Sequence, residues 1–153
     1  MIEKKVYANE LFFPEVAKML SEGTNVTLRV QGTSMLPFIH GNDDRILLEK
    51  VDEVGLGDIL LCRIKDHYVI HRLIDRKDDR LLLMGDGNCY GKETCTLKDV
   101  AGKVMLIIRP DGSKVDCNSK SERQKAKLWY RFLFIRRYLL WIYKKFIHRA
   151  KVV

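Results

Sequence analysis

Apolar and polar positions alternate with three different rhythms along the 153-residue chain. Within residues 11–20, Phe12, Val16, Met19 and Leu20 recur at helical spacing and Gly23 supplies a stop, so residues 1–24 read as an N-terminal helical segment. Short β-branched or apolar runs follow at residues 26–30, 46–49, 59–64, 68–74, 81–84 and 100–108. Turn residues separate them at Gly41-Asn42-Asp43, residues 55–58, Lys65-Asp66, residues 77–79 and Pro110-Asp111-Gly112. Many short strands with tight turns predict a mainly β domain over residues 25–118, a small folded antiparallel sheet or barrel. Side chains alternate along a strand, so His71 shares a face with Val69 and Leu73, and Arg72 shares the other with Tyr68 and Ile70.

The rhythm then returns to a helical one. Leu128, Phe132, Ile135, Leu139, Ile142 and Phe146 recur at spacings of four and three, one apolar stripe on a basic, aromatic amphipathic helix over residues 119–153. Charge sharpens this division. The chain carries +8 overall, but residues 119–153 hold eleven Lys and Arg against the single acid Glu122, a charge of +10. The remaining residues hold 17 bases and 19 acids, a charge of −2. Lys and Arg mixed with Trp129, Phe134 and Trp141 make the composition of a helix lying on an anionic membrane surface. Packing on its own domain or in a homodimer is the competing expectation for residues 128–146, and nucleic acid is disfavoured by the aromatic residues. The first six residues lack an apolar signal core, and no run approaches the roughly 20 apolar residues of a spanning helix. The expected location is therefore cytoplasmic or peripheral to a membrane.

A hydrophobic content of 46% with 31% charged residues belongs to a folded domain rather than a disordered chain. Cys62, Cys89, Cys95 and Cys117 form no C-x-x-C pair, so neither a zinc site nor any other metal or cofactor is expected. Cys89 and Cys95 have the means to bridge in an oxidising space, and the missing export signal favours free thiols.

The candidate chemistry lies in four short boxes in order: Gly32-Thr33-Ser34-Met35-Leu36-Pro37, Gly57-Asp58-Ile59-Leu60, Ile70-His71-Arg72 and Gly85-Asp86-Gly87-Asn88. Ser34 follows a strand at a bend that Gly32 permits. A serine hydroxyl needs a neighbouring base to become a nucleophile, and a lone Gly-x-Ser is ordinarily a turn. His71 is the natural base, since imidazole can accept and return a proton near neutrality. Asp86 is the candidate for orienting that imidazole, and is otherwise an ordinary turn aspartate.

The same boxes resemble the type I signal peptidases, within the larger group that includes self-cleaving SOS-type repressors, over residues 26–108. Histidine at position 71, where most bacterial members carry lysine, resembles the endoplasmic-reticulum, archaeal and sporulation type. The resemblance implies Ser34 as nucleophile, His71 as general base and Asp86 as its partner. Gly32, Met35 and Pro37 would then lie at the substrate, and the Ser34 backbone N–H would serve as an oxyanion donor. The histidine type usually has a second aspartate a few residues after the Gly-Asp box; this chain has Cys89-Tyr90-Gly91-Lys92-Glu93 there, which leaves Glu93 as an outside candidate. Gly32 stands where lysine-type enzymes often place a hydroxyl, and the usual N-terminal anchor is missing. The implied function is a serine endopeptidase acting on a leader or signal peptide of a preprotein. The alternative is a non-catalytic peptide-binding or repressor-like regulatory module on the same scaffold.

Overall fold

The computed structural model describes residues 9–148. The chain runs α1 (Asn9–Ser21), β1 (Val26–Arg29), β2 (Arg45–Glu49), β3 (Ile59–Ile64), β4 (His67–Lys77), β5 (Arg80–Met84), β6 (Glu93–Thr96), β7 (Val100–Ile108), β8 (Lys114–Asp116), α2 (Lys120–Arg131) and α3 (Arg136–Ile142), ending in a π-helical turn, Tyr143–His148. Residues 1–8 of the predicted N-terminal segment and 149–153 of the tail lie outside the described residues.

All strands join one antiparallel sheet in the order β1-β2-β7-β3-β4-β5-β6, with β8 paired to the end of β7. Register shifts at Leu47/Leu48, Leu61/Cys62 and Leu73/Asp75 each add a residue to one strand. Such bulges increase local twist, and they curl this mainly β sheet into a half-barrel. Two apolar clusters fill its two faces. Ile59 and Leu61 of central β3 enter one with Leu28, Ile46, Leu48 and Val104, while Leu60 and Cys62 enter the other with Leu73, Leu81 and Leu83. A strand buried on both faces has no polar positions to alternate, which explains the unbroken Ile59-Leu60-Leu61-Cys62 run.

α1 caps the first cluster through Val16 and Leu20, and Phe13 stacks on Tyr68 with ring centroids 5.8 Å apart. Met19, expected on this buried face, is instead exposed. Leu20 takes the central place: a Cβ at Gly102 of β7 would come within 2.9 Å of its side chain. All four cysteines are free thiols, with Cys62 and Cys95 buried in the second cluster. Burial pushes the Cys117 thiol up to about 11.

The tail departs from the predicted continuous helix. It breaks over residues 132–135, between α2 and α3, and the predicted apolar stripe is divided, with Ile135 and Leu139 half-buried and the rest exposed. Leu128, Phe132, Ile142 and Phe146 are exposed, whereas Ala126, Arg136 and Leu140 are buried. The break rotates the second half of the tail so that other positions meet the sheet.

Leu61→Ala removes a fully buried side chain and should lower stability by about 2–5 kcal/mol. Leu128→Ser, on the exposed side of α2, should change it by less than about 0.5 kcal/mol. Urea unfolding midpoints at unchanged slope measure both.

Candidate active site

Ser34 occupies the turn that leaves β1. Gly32 enters it at φ +85°, and the two legs of the loop touch backbone to backbone, since a Cβ at Gly41 would lie 1.8 Å from the Gly32 carbonyl oxygen. The Gly85–Asn88 turn after β5 presses on the other side. Its Gly87 N–H donates to the Ser34 carbonyl at 2.7 Å. A Cβ at Gly85 would stand 2.4 Å from that same oxygen, and one at Gly87 would stand 2.2 Å from the Thr33 carbonyl. Only glycine admits this approach, which is the physical reason for a Gly-x-Gly box opposite the serine.

Asp86, between those glycines, lies in a buried bidentate pair with Arg72 of β4. Arg72 Nε donates to Oδ1 at 2.8 Å and Nη2 to Oδ2 at 2.6 Å. Arg72 Nη1 donates to the Gly57 carbonyl at 2.8 Å, and the guanidinium lies 4.7 Å from the Phe38 ring centroid. Burial opposes the guanidinium's charge, but the Asp86 charge and hydrogen bonds outweigh it and raise the Arg72 pKa. The Gly57-Asp58 box supports this pair from behind. Gly57 N–H donates to the Leu73 carbonyl, and buried Asp58 accepts from Arg123 at 2.7 Å and Lys103 at 3.2 Å.

Asp86 is therefore not the partner of His71, contrary to the sequence reading. Both its oxygens serve Arg72, and Arg72 and His71, adjacent on one strand, project to opposite faces of the sheet. The carboxylate on His71 is Glu93, the first residue of β6, with Oε2 2.8 Å from Nδ1. The ring is 8% exposed and the carboxylate 24% exposed. Glu93 reaches His71 across β5, which pairs with both strands.

Met35, expected at the substrate, is a core residue packed in the first cluster. Pro37, whose preceding peptide is cis, lines a cavity of about 380 Å³ together with Phe38, Arg109, Trp129 and Phe132. The tail closes over this side. Trp129 Nε1 donates to the Asp86 carbonyl at 2.8 Å and its ring meets Phe38 edge-on. Buried Arg136 donates to the Asn88 carbonyl at 3.1 Å and lies over Trp129. Burial lowers the Arg136 pKa, with the Asp86 charge opposing. Tyr143 Oη stands 2.7 Å from His40 Nε2, which is 3.1 Å from the Pro37 carbonyl. His40 N–H donates to buried Asp44 at 2.7 Å, and Arg109 pairs with the same carboxylate.

Glu93 was visible only as an acid following the Gly-Asp box, while Trp129 and Tyr143 gave no signal, because nothing local directs the tail back over these turns. The curled antiparallel sheet, with its serine turn locked against a Gly-Asp turn, accompanies a family match that points to serine peptidases and related regulatory modules. The chain belongs to the Peptidase S24-like family, whose model matches residues 3–105 and ends before β8 and the C-terminal helices. None of the curated proteins compared with the chain matches it.

Asp86→Asn leaves Arg72 buried without its counter-charge and should cost about 3–5 kcal/mol in denaturant unfolding. Glu93→Gln, in a partly exposed pair with a neutral-capable imidazole, should cost less than about 1.5 kcal/mol in the same measurement.

Proposed function

We propose that this protein is a serine endopeptidase in which Ser34 is the nucleophile, His71 the general base and Glu93 the residue that orients it. The observation that carries this reading is the 2.8 Å contact between His71 Nδ1 and Glu93. A carboxylate on Nδ1 fixes the tautomer with the proton there, and leaves Nε2 as the ring's acceptor for a hydroxyl proton. Asp86 then acts through Arg72 as a positioning residue. It anchors the turn against which the Ser34 backbone is set, and so couples the serine turn to the strand that carries His71.

In the reaction, Ser34 Oγ attacks the peptide carbonyl while His71 Nε2 takes its proton. The same proton passes to the leaving amine, and an ester remains on Ser34. Water then attacks that ester with His71 again as base, releasing the new carboxyl end and restoring the serine. The backbone N–H of Ser34 supplies one donor to the developing oxyanion. An extended substrate is supported by the position of β1, an edge strand that runs directly into the serine turn and offers its free side to an added strand. The resemblance to the histidine-type signal peptidases supports a leader or signal peptide with small residues beside the cleaved bond.

A fluorophosphonate probe followed by peptide mass mapping tests the nucleophile: covalent mass on Ser34 is expected, and its absence returns the chain to a non-catalytic peptide-binding role. Cleavage of leader-type peptides should fall by about 10³-fold or more in Ser34→Ala and in His71→Ala. Glu93→Gln should lose about 10²-fold or more in kcat/KM with the unfolding midpoint nearly kept. Unchanged turnover in Ser34→Ala would sink the proposal.

A further inference from the structure

The tail has one side that the fold uses and one that it leaves open. Ala126, Trp129, Arg136 and Leu140 face the body, where Trp129 and Arg136 hold the Asp86 turn. On the open side Phe134 is 80% exposed, Phe146 63% and Trp141 58%. Large rings at that level of exposure, grouped on one short stretch, mark a surface built for a partner. Basic groups are threaded between them. Lys145 Nζ lies 4.6 Å from the Trp141 ring centroid and 5.4 Å from that of Phe146. Arg137 lies over Tyr138 and reaches Tyr90 Oη at 3.5 Å, in the loop that leads to Glu93. No acid follows Glu122 in the sequence.

Charge and chemistry select among the occupants. A second copy of this face would set like charges against each other. A phosphodiester backbone would satisfy the bases but gives Phe134, Ile142 and Phe146 nothing apolar to enter. An anionic bilayer surface satisfies both at once, with rings among the acyl chains and ammonium and guanidinium groups at the headgroups. No helix among the described residues is long and apolar enough to cross a membrane, so the contact is one of lying on the surface.

We propose that the open face of residues 134–146 docks this protein on an anionic phospholipid bilayer. The inner side of the same segment reaches the loop that carries Ser34 through Tyr143 on His40, and the Asp86 turn through Arg136 on the Asn88 carbonyl, so docking sets the candidate active site beside the lipid. Binding rests on the tail alone and is read without reference to peptidase activity.

The test is sedimentation of the full-length protein with phosphatidylcholine vesicles, with and without phosphatidylglycerol, while tryptophan emission is followed. Retention on the phosphatidylglycerol vesicles alone, a blue-shifted emission and release by added salt are expected. Lys144→Glu/Lys145→Glu should weaken retention by about tenfold or more, and Phe134→Ser/Phe146→Ser should remove the emission shift. All four side chains are exposed, so both variants should keep the wild-type urea midpoint, which is read alongside. Failure to sediment with phosphatidylglycerol vesicles at low salt overturns the proposal. So does a dimer that vesicles do not dissociate, or retention on an oligonucleotide with none on lipid.

Discussion

Arg72 and Asp86 meet beneath the serine turn, both almost wholly removed from water, and the geometry around them follows from keeping that pair satisfied. Each guanidinium nitrogen has a partner: two donate to the carboxylate and one to the Gly57 carbonyl, with the Phe38 ring against its face. A buried ion pair gains little over an apolar replacement, but a buried charge deprived of its partner costs a large part of a total stability of about 5–15 kcal/mol. The turns that supply those partners are therefore held in place. The Gly57-Asp58 box is fixed from one side, the Gly85–Asn88 turn from the other, and the serine turn is set on the latter through Gly87.

Strand parity separates this pair from the histidine–carboxylate one. His71 and Arg72 are consecutive, so one faces the second apolar cluster and the other the opposite side of the sheet. Each finds its own acid: Glu93 at the start of edge strand β6, Asp86 in the turn after β5. A single aspartate could not serve both. The carboxylate nearer solvent is the one on the imidazole. The wholly buried carboxylate is the one on a guanidinium that stays charged.

The C-terminal segment packs on the turns of the candidate site. Two edge-on rings, Phe38 and Trp129, lie between two guanidinium groups, Arg72 on the first and Arg136 on the second, beside the Asp86 turn. The tail thus bears on the loops that carry Ser34 and Asp86, while its other side keeps an apolar and basic surface in solvent.

The sequence by itself determined the local rhythm. Five of the predicted strands were legible because apolar residues run or alternate through them, and β4 was found though cut short at its polar end. β6 was missed because Glu93-Thr94-Cys95-Thr96 has one apolar residue, and β8 because Lys114-Val115-Asp116 is too brief to show a period. Ser34, His71 and the Gly-Asp box were legible as residue types in order, and the glycines now have a reason in the close approach of two backbones. Only the tertiary structure decided which acid faces which base, where Met35 points and which side of the tail is covered. Those outcomes depend on register across β4, β5 and β6 and on the break after α2. Both are settled by long-range packing, which no local period encodes.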